Sequence, residues 1–346
     1  MGHEQVVFCQ DPHTGLNAII AIHNTVLGPA LGGTRLWNYA THQDGITDAL
    51  RLSRGMTYKS AISGINLGGG KAVLIGDAPK VKSEAYWRRY GRFVNSLNGK
   101  YITAEDVNTN AHDMECIGME TKFVTGKPEY LGGSGDPSPF TAYGVYVGMK
   151  AAAKKMWGSD SLSGKKIVIQ GAGNVGQYIV GYLVKDNAKV YICDINNDRL
   201  KQTVEKFPTV EVVDGNTIFD MDMDIYAPCA LGATLNTESI GKLKCAIVAG
   251  CANNQLADEN VHGPMLTAKG IIYVPDFLIN AGGIINISVE LDGYNYDRSM
   301  SMVEKIYSRS LEIFDLAAKE NVHTQLAAMR IAEKRINDIA NVKKGR

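Results

Sequence analysis

The chain has 346 residues, of which 36 are basic and 36 acidic, and 45% are hydrophobic types. Balanced charge gives no field that would gather nucleic acid or an anionic membrane surface, and apolar runs such as 18–22 are far too short to cross a bilayer. Such a length suits two domains, and six scattered cysteines without a CxxC pair fit a reduced, soluble, cytoplasmic protein with no signal segment.

Taken in chain order, residues 16–23 are rich in Ile and Ala and read as a strand. Residues 44–61 carry Ile46, Leu50 and Met56 at helical spacing, and 71–75 form another strand. An amphipathic helix is predicted over 83–97, with Tyr86, Tyr90, Phe93 and Leu97 on one side, followed by a strand at 101–104. The densest Gly/Pro/Ser cluster, 132–139, marks a domain boundary and a candidate hinge. A helix over 141–156 precedes a Rossmann-like alternation that begins at Lys165, and helical segments at 298–320 and 323–342 close the chain. Two blocks of βα units predict an α/β protein of two domains with a cleft between them. Residues 1–136 are expected to form a substrate domain and 137–322 a Rossmann-type dinucleotide-binding domain. The terminal helix, 323–346, is a candidate to pack back on the first.

The sharpest local signal is Gly171-Ala172-Gly173-Asn174-Val175-Gly176, set between a strand-like run and a helical pattern. Gly171 permits the tight turn, Gly173 lets backbone approach a pyrophosphate, and Gly176 lets helix and strand pack closely. The helix N-terminus supplies N–H donors and partial positive charge. A second strand, 189–193, ends in Asp194, where a carboxylate accepts from a free ribose 2′-hydroxyl and repels a 2′-phosphate, so NAD is expected over NADP.

Chemistry has to come mainly from the other block. Gly32 and Gly33 could let a ligand meet bare backbone. Met56 and Lys59 share one helix face at i, i+3, and Lys71 stands between Gly68-Gly69-Gly70 and an apolar strand. Burying an ammonium is costly without compensation. Read singly, either lysine is equally a surface residue whose stem covers apolar area. Glu105 and Asp106, directly after the 101–104 strand where α/β sheets place ligands, tip the balance toward a site.

These residues resemble the glutamate/leucine/phenylalanine/valine dehydrogenase family. The likeness is carried by the 28–35 stretch (Gly28-Pro29-Ala30-Leu31-Gly32-Gly33-Thr34-Arg35), Met56-Thr57-Tyr58-Lys59, the Gly-Gly-Gly-Lys at 68–71 and Thr103-Ala104-Glu105-Asp106-Val107. Ala252-Asn253-Asn254-Gln255 and Asn280-Ala281-Gly282-Gly283 continue it in the family's order. The resemblance runs from roughly residue 4 to the last helix and is greatest to the family's leucine-specific members. It implies reversible, NAD-dependent oxidative deamination of an amino acid to a 2-oxo acid and ammonia, by a homo-oligomer that needs no metal.

Roles follow by motif. Lys59 resembles the holder of the substrate α-carboxylate, with Asn280 as a second contact and Gly32, Gly33 and Met56 nearby. Lys71 resembles the catalytic base and Asp106 its proton-transfer partner. A free lysine titrates at about 10.4, and burial with a second cation would lower it. The family's side-chain pocket maps to Leu31, Ala104, Ile284 and Ile287. Leu31 and Ile287 stand where glutamate-specific relatives carry Lys and Ser, and Ala104 stands where phenylalanine-specific ones tend to carry Gly. Branched aliphatic substrates are therefore implied. Ile284, often Val in leucine-specific members, would shift preference toward valine or 2-aminobutyrate, and Gly70 departs from their more usual Ala. On the residues alone, Ile284 and Ile287 equally read as core positions of a helix. On the cofactor side the resemblance points to Thr141, Asn174, Val175, Asp194, Ala230 and Asn254 beside the glycines. The 229–233 stretch equally reads as an ordinary βα turn.

Overall fold

Successive residues of a strand face opposite sides, and both faces of the first sheet bury apolar side chains. The structure, a computed structural model, describes residues 2–344. Its first compact unit takes in the chain up to Asp136, Ile284–Arg298, and the residues from Ala332 onward. The elements of its first stretch are β1 (Gln5–Asp11), β2 (Leu16–Asn24), β3 (Ala30–Trp37), α1 (His42–Ile62), β4 (Gly68–Ile75), α2 (Ala78–Val81), α3 (Glu84–Ser96), β5 (Tyr101–Glu105) and α4 (Ala111–Gly118). The sheet runs β1-β2-β4-β3-β5, with β3 parallel to both β4 and β5 and the remaining pairs antiparallel. Ile20, Ile22, Leu36 and Leu74 pack with Tyr86, Trp87 and Tyr90 on one face. Ile19, Ala21 and Val73 meet Ala49 of α1 on the other.

Helix α1 starts at a reciprocal cap. Thr41 Oγ1 accepts from Asp44 N at 3.1 Å, and Asp44 accepts from Thr41 N at 3.1 Å. It then lies close against the sheet, because a Cβ added to Gly69 would stand 2.1 Å from Thr57 N. Its last turn is held by Arg335, whose guanidinium donates to Ala61 O at 3.1 Å, Ile65 O at 2.8 Å and Gly64 O at 3.2 Å.

The second unit comprises Pro137–Gly283 and Ser299–Ile331. It contains α5 (Ser138–Trp157), β6 (Lys166–Gln170), α6 (Asn174–Lys185), β7 (Lys189–Cys193), α7 (Asn197–Lys206), β8 (Glu211–Val212), β9 (Ile225–Pro228), α8 (Thr237–Lys242), β10 (Ile247–Val248), α9 (Glu259–Ala268), β11 (Ile272–Tyr273) and α10 (Asp276–Ile279). Its strands, all parallel, run β11-β10-β9-β6-β7-β8, the doubly wound Rossmann order whose switch point lies between β6 and β9. Helices α11 (Gly282–Val289), α12 (Tyr296–Glu320) and α13 (Thr324–Lys344) follow. Among the described residues, no helix is long and apolar enough to cross a membrane.

Three differences from the sequence expectation stand out. The stretch 28–35, read for its ligand-facing glycine pair, and the 68–70 glycine run, read as leading into a strand, lie largely within β3 and β4. Strand β1 was not anticipated. Residues 284–298, expected with the dinucleotide unit, cluster with the first, because Glu290 accepts from Gly126 N at 2.9 Å and Ser134 N at 2.9 Å. Residues 345 and 346 of the expected terminal helix lie outside the described residues.

Candidate active site

Strand periodicity places the first half of the site. Gly69, Lys71 and Val73 alternate with Gly70, Ala72 and Leu74, so Lys71 shares the α1 face of the sheet with Val73. Register carries this across to the neighbours: Leu31 pairs with Gly69 and Ile102, Arg35 with Val73, and Gly33 with Ala104. Leu31, Gly33, Arg35, Lys71 and Ala104 therefore lie on one face, opposite the helix that carries Met56 and Lys59.

Lys71 is only 5% exposed, and its Nζ donates to Asp106 Oδ2 at 2.6 Å. Arg35 Nε donates to the same oxygen at 2.9 Å, while Arg35 NH1 reaches Asp48 Oδ2 at 3.0 Å. Burial pushes the Lys71 ammonium below its ordinary range, an effect that Asp106 opposes and Arg35 reinforces. For Asp106, burial works to raise the carboxyl, but Lys71 and then Arg35 outweigh it and hold it down to about 2. An amine with a depressed affinity for its proton stands here next to a carboxylate that stays ionised, the arrangement proton transfer requires.

Gly32 and Gly33 are both needed for close packing within the sheet. A Cβ on Gly32 would stand 1.7 Å from Gly70 O, and one on Gly33 would stand 2.8 Å from Asp106 Cβ and 3.3 Å from Lys71 Nζ. Protein atoms thus stand where a side chain would project from either residue. Tyr101 further holds β3 by donating to Gly32 O at 2.7 Å. Leu31 and Ala104 are buried, Met56 and Lys59 half-buried. Ile284 is buried and Ile287 half-buried on α11.

Asn280 belongs to the second unit, where its Nδ2 donates to Cys251 O at 3.1 Å and Asn253 Oδ1 at 2.7 Å. Both amide hydrogens are thus engaged, and the buried Oδ1 has no hydrogen-bond partner among the described residues. In this arrangement it has no donor to spare for a carboxylate.

At the switch point of the second sheet, Gly171 takes φ +121°, a conformation that side-chain-bearing residues rarely adopt. A Cβ there would meet Cys229 C at 2.8 Å, and one on Gly176 would stand 2.2 Å from Gly171 O. A Cβ on Gly173 would meet nothing within 4 Å, and no side chain caps the N-terminus of α6. Asn174 is exposed at the start of that helix and Val175 half-buried. Asp194 accepts from Ala172 N at 2.6 Å and Asn196 N at 2.8 Å, which ties the loop to the end of β7. Ala230 and Asn254 come together as neighbouring loops: Ala233 N donates to Asn254 O at 2.7 Å and Leu235 N to Gln255 O at 3.0 Å. Thr141 lies in the first turn of α5, half-buried, donating to Pro137 O at 3.1 Å.

The sequence reading gave Arg35 and Asp48 no individual role. Strand alternation from Gly33 to Arg35 was the available signal, and the glycine pair hid it.

A doubly wound dinucleotide fold in one unit and a buried lysine–carboxylate pair in the other mark a pyridine-nucleotide-linked amino-acid dehydrogenase. Residues 3–123 match the sequence profile of the Glu/Leu/Phe/Val dehydrogenase dimerisation domain, and residues 132–196 and 191–344 match that of Glutamate/Leucine/Phenylalanine/Valine dehydrogenase. The chain belongs to this family, as the sequence motifs implied. It is 54% identical over 334 residues to leucine dehydrogenase of Thermoactinomyces intermedius, covering 96% of this chain and 91% of the relative. It is 46% identical to valine dehydrogenase of Streptomyces virginiae, covering 97% and 94%. The crystal structure of L-tryptophan dehydrogenase from Nostoc punctiforme superposes with a TM-score of 0.87 at 44% identity, covering 98% of this chain and 97% of that one.

Proposed function

We propose that this protein carries out the reversible, NAD-dependent oxidative deamination of branched-chain aliphatic L-amino acids, leucine foremost, to 2-oxo acids and ammonia. The observation that carries the reading is the buried Lys71, hydrogen-bonded at 2.6 Å to an ionised Asp106. Lys59 and the Gly32–Gly33 backbone receive the α-carboxylate. Once Cα has given up its hydride and become an imine carbon, Lys71 in its uncharged form takes a proton from the water that adds to that carbon. Asp106 exchanges protons with the departing amine. Positioned general-base catalysis of this kind contributes about 10²–10⁴-fold.

The second unit suits a dinucleotide, since the uncapped α6 N-terminus and the open side of Gly173 leave N–H donors available to a pyrophosphate. Gly171, Gly173, Asn174, Val175 and Gly176 would hold the phosphates, with Thr141, Ala230 and Asn254 alongside. Asp194 accepts from the adenosine ribose, and its charge favours NAD over NADP. When bound, the nicotinamide supplies the hydride acceptor. The kinship with leucine and valine dehydrogenases, together with the apolar Leu31, Ala104, Ile284 and Ile287, supports aliphatic substrates. The match to a dimerisation-domain profile supports a homo-oligomer. A cytoplasmic setting accords with six free cysteines.

The test is NADH formation measured with a panel of amino acids, tryptophan and phenylalanine included. Leucine, valine and isoleucine should all react, and Lys71→Ala should abolish turnover while NAD still binds. Turnover that survives Lys71→Ala, or a panel in which only aromatic substrates react, would refute the reading.

A further inference from the structure

Asp106 receives both of its cations on one oxygen: Lys71 Nζ at 2.6 Å and Arg35 Nε at 2.9 Å meet at Oδ2. Oδ1 has no hydrogen-bond partner among the described residues. The other edge of the guanidinium is anchored at 3.0 Å on Asp48 of α1, whose same carboxylate oxygen also accepts from the Tyr39 hydroxyl. A planar fork with donors on two edges bridges two carboxylates in a fixed geometry, which the point charge of an ammonium on a flexible stem does not impose.

We propose that Arg35 is a positioning residue for proton transfer: by sharing Oδ2 with Lys71 it turns Oδ1 toward the substrate and lets Lys71 release its proton. This rests on the reading of Lys71 as the general base. The charge argument is direct. An ionised Asp106 with Lys71 as its sole cationic partner would hold the ammonium proton in place, because a neighbouring opposite charge favours the charged form. Arg35 stays charged at every working pH and takes up part of that carboxylate's field. Charged or titratable groups reach the region from several elements, and α1, which lies against this face, also carries Lys59. Lys71 comes from β4, Arg35 from β3, Asp48 from α1, Tyr39 from the segment between β3 and α1, and Glu105 from the end of β5, next to Asp106 in the chain. Of these, Arg35 is the only cation other than Lys71 itself in hydrogen-bond contact with Asp106.

The alternative is that Arg35 merely staples α1 to the loop after β5. The two are separated by the pH profile of kcat/KM, measured on intact enzyme with the best amino acid of the panel, for wild type, Arg35→Met and Arg35→Lys. If Arg35 tunes the pair, the rising limb in Arg35→Met moves up by about one pH unit. The rate on that limb then falls about tenfold and returns at higher pH, with NAD affinity by fluorescence titration unchanged. Arg35→Lys, which keeps the charge and loses the bridge, moves the limb less. A limb that stays at the wild-type position overturns the proposal, however much rate is lost. Should Arg35→Met fail to fold, the limb of Arg35→Lys decides alone: displaced upward supports the proposal, unmoved overturns it. A wild type with no amino-acid-dependent NADH formation is a different result, and defeats the assigned activity itself.

Discussion

Gly33 and Lys71 stand so close across the β3–β4 pair that a carbon added to Gly33 would sit 3.3 Å from Nζ. The same carbon would lie 2.7 Å from Glu105 O, a backbone atom that has little room to yield. The meeting of Lys71 with Asp106 therefore depends on a side chain that is missing one strand away. Gly33→Ala should push the pair apart and lower kcat by about 100-fold, the scale of a 1 Å misplacement of a catalytic group. Overpacking should also cost about 1–3 kcal/mol of stability. Steady-state kinetics and thermal melting check both, and NAD affinity should equal that of wild type.

Glu105 provides a pH-dependent signature. Burial, and then the charges of Asp136, Glu290, Asp106 and Asp113, push its carboxyl up to about 7. A carboxyl raised on folding contributes stability that is fully present below its unfolded pKa of about 4.3 and lost as pH rises through the folded value. Wild type should therefore lose ground to Glu105→Gln between about pH 4 and 7, by up to about 3 kcal/mol, and the two stability curves should run parallel above that. Melting temperatures measured from pH 4 to 9 decide it. Curves that stay parallel across the whole range would show that Glu105 keeps an ordinary carboxyl.

The Rossmann half was legible because its signals are local: branched strands at 167–169 and 189–193, a glycine turn, and an acid at the end of the second strand. The first sheet was harder. Strand β3 holds Gly32 and Gly33 and went unread, while β4 opens on three glycines, so only its branched end, 71–75, was legible as a strand. What those glycines do, letting backbones and the Lys71–Asp106 pair approach, becomes visible only once the strands are side by side. Long-range ties left no local pattern. Arg35 meets Asp106 across 71 positions, and Glu290 draws 284–298 to Ser134 across 156.

The phosphate loop makes a prediction that leaves the lysine pair untouched. Gly176→Ala would set a methyl 2.2 Å from Gly171 O and force the loop away from α6. NAD affinity should fall at least tenfold, about 1.4 kcal/mol, because the N–H donors no longer converge on the pyrophosphate. The rate at saturating NAD should fall far less than the affinity. Isothermal titration with NAD separates this from unfolding, and an unchanged dissociation constant would remove the loop from the binding site.

Substrate range turns on small volumes. Ala104 is 1% exposed and pairs with Gly33 in the strand that ends beside Asp106, while Leu31, on the same face of the sheet, is fully buried. Removing one methyl there opens room directly over the region assigned to the substrate side chain. A methyl or methylene in an apolar pocket is worth about 1–3 kcal/mol, or 10–200-fold in discrimination. Ala104→Gly should accordingly raise kcat/KM for phenylalanine relative to leucine by about tenfold or more. Leucine itself should lose activity through poorer contact, and the glycine should cost about 0.5–1 kcal/mol of stability in the strand interior. Competing leucine and phenylalanine in one reaction measures the ratio directly. A ratio that does not move places the side-chain pocket elsewhere, with Ile284 and Ile287 of α11 the next residues to vary.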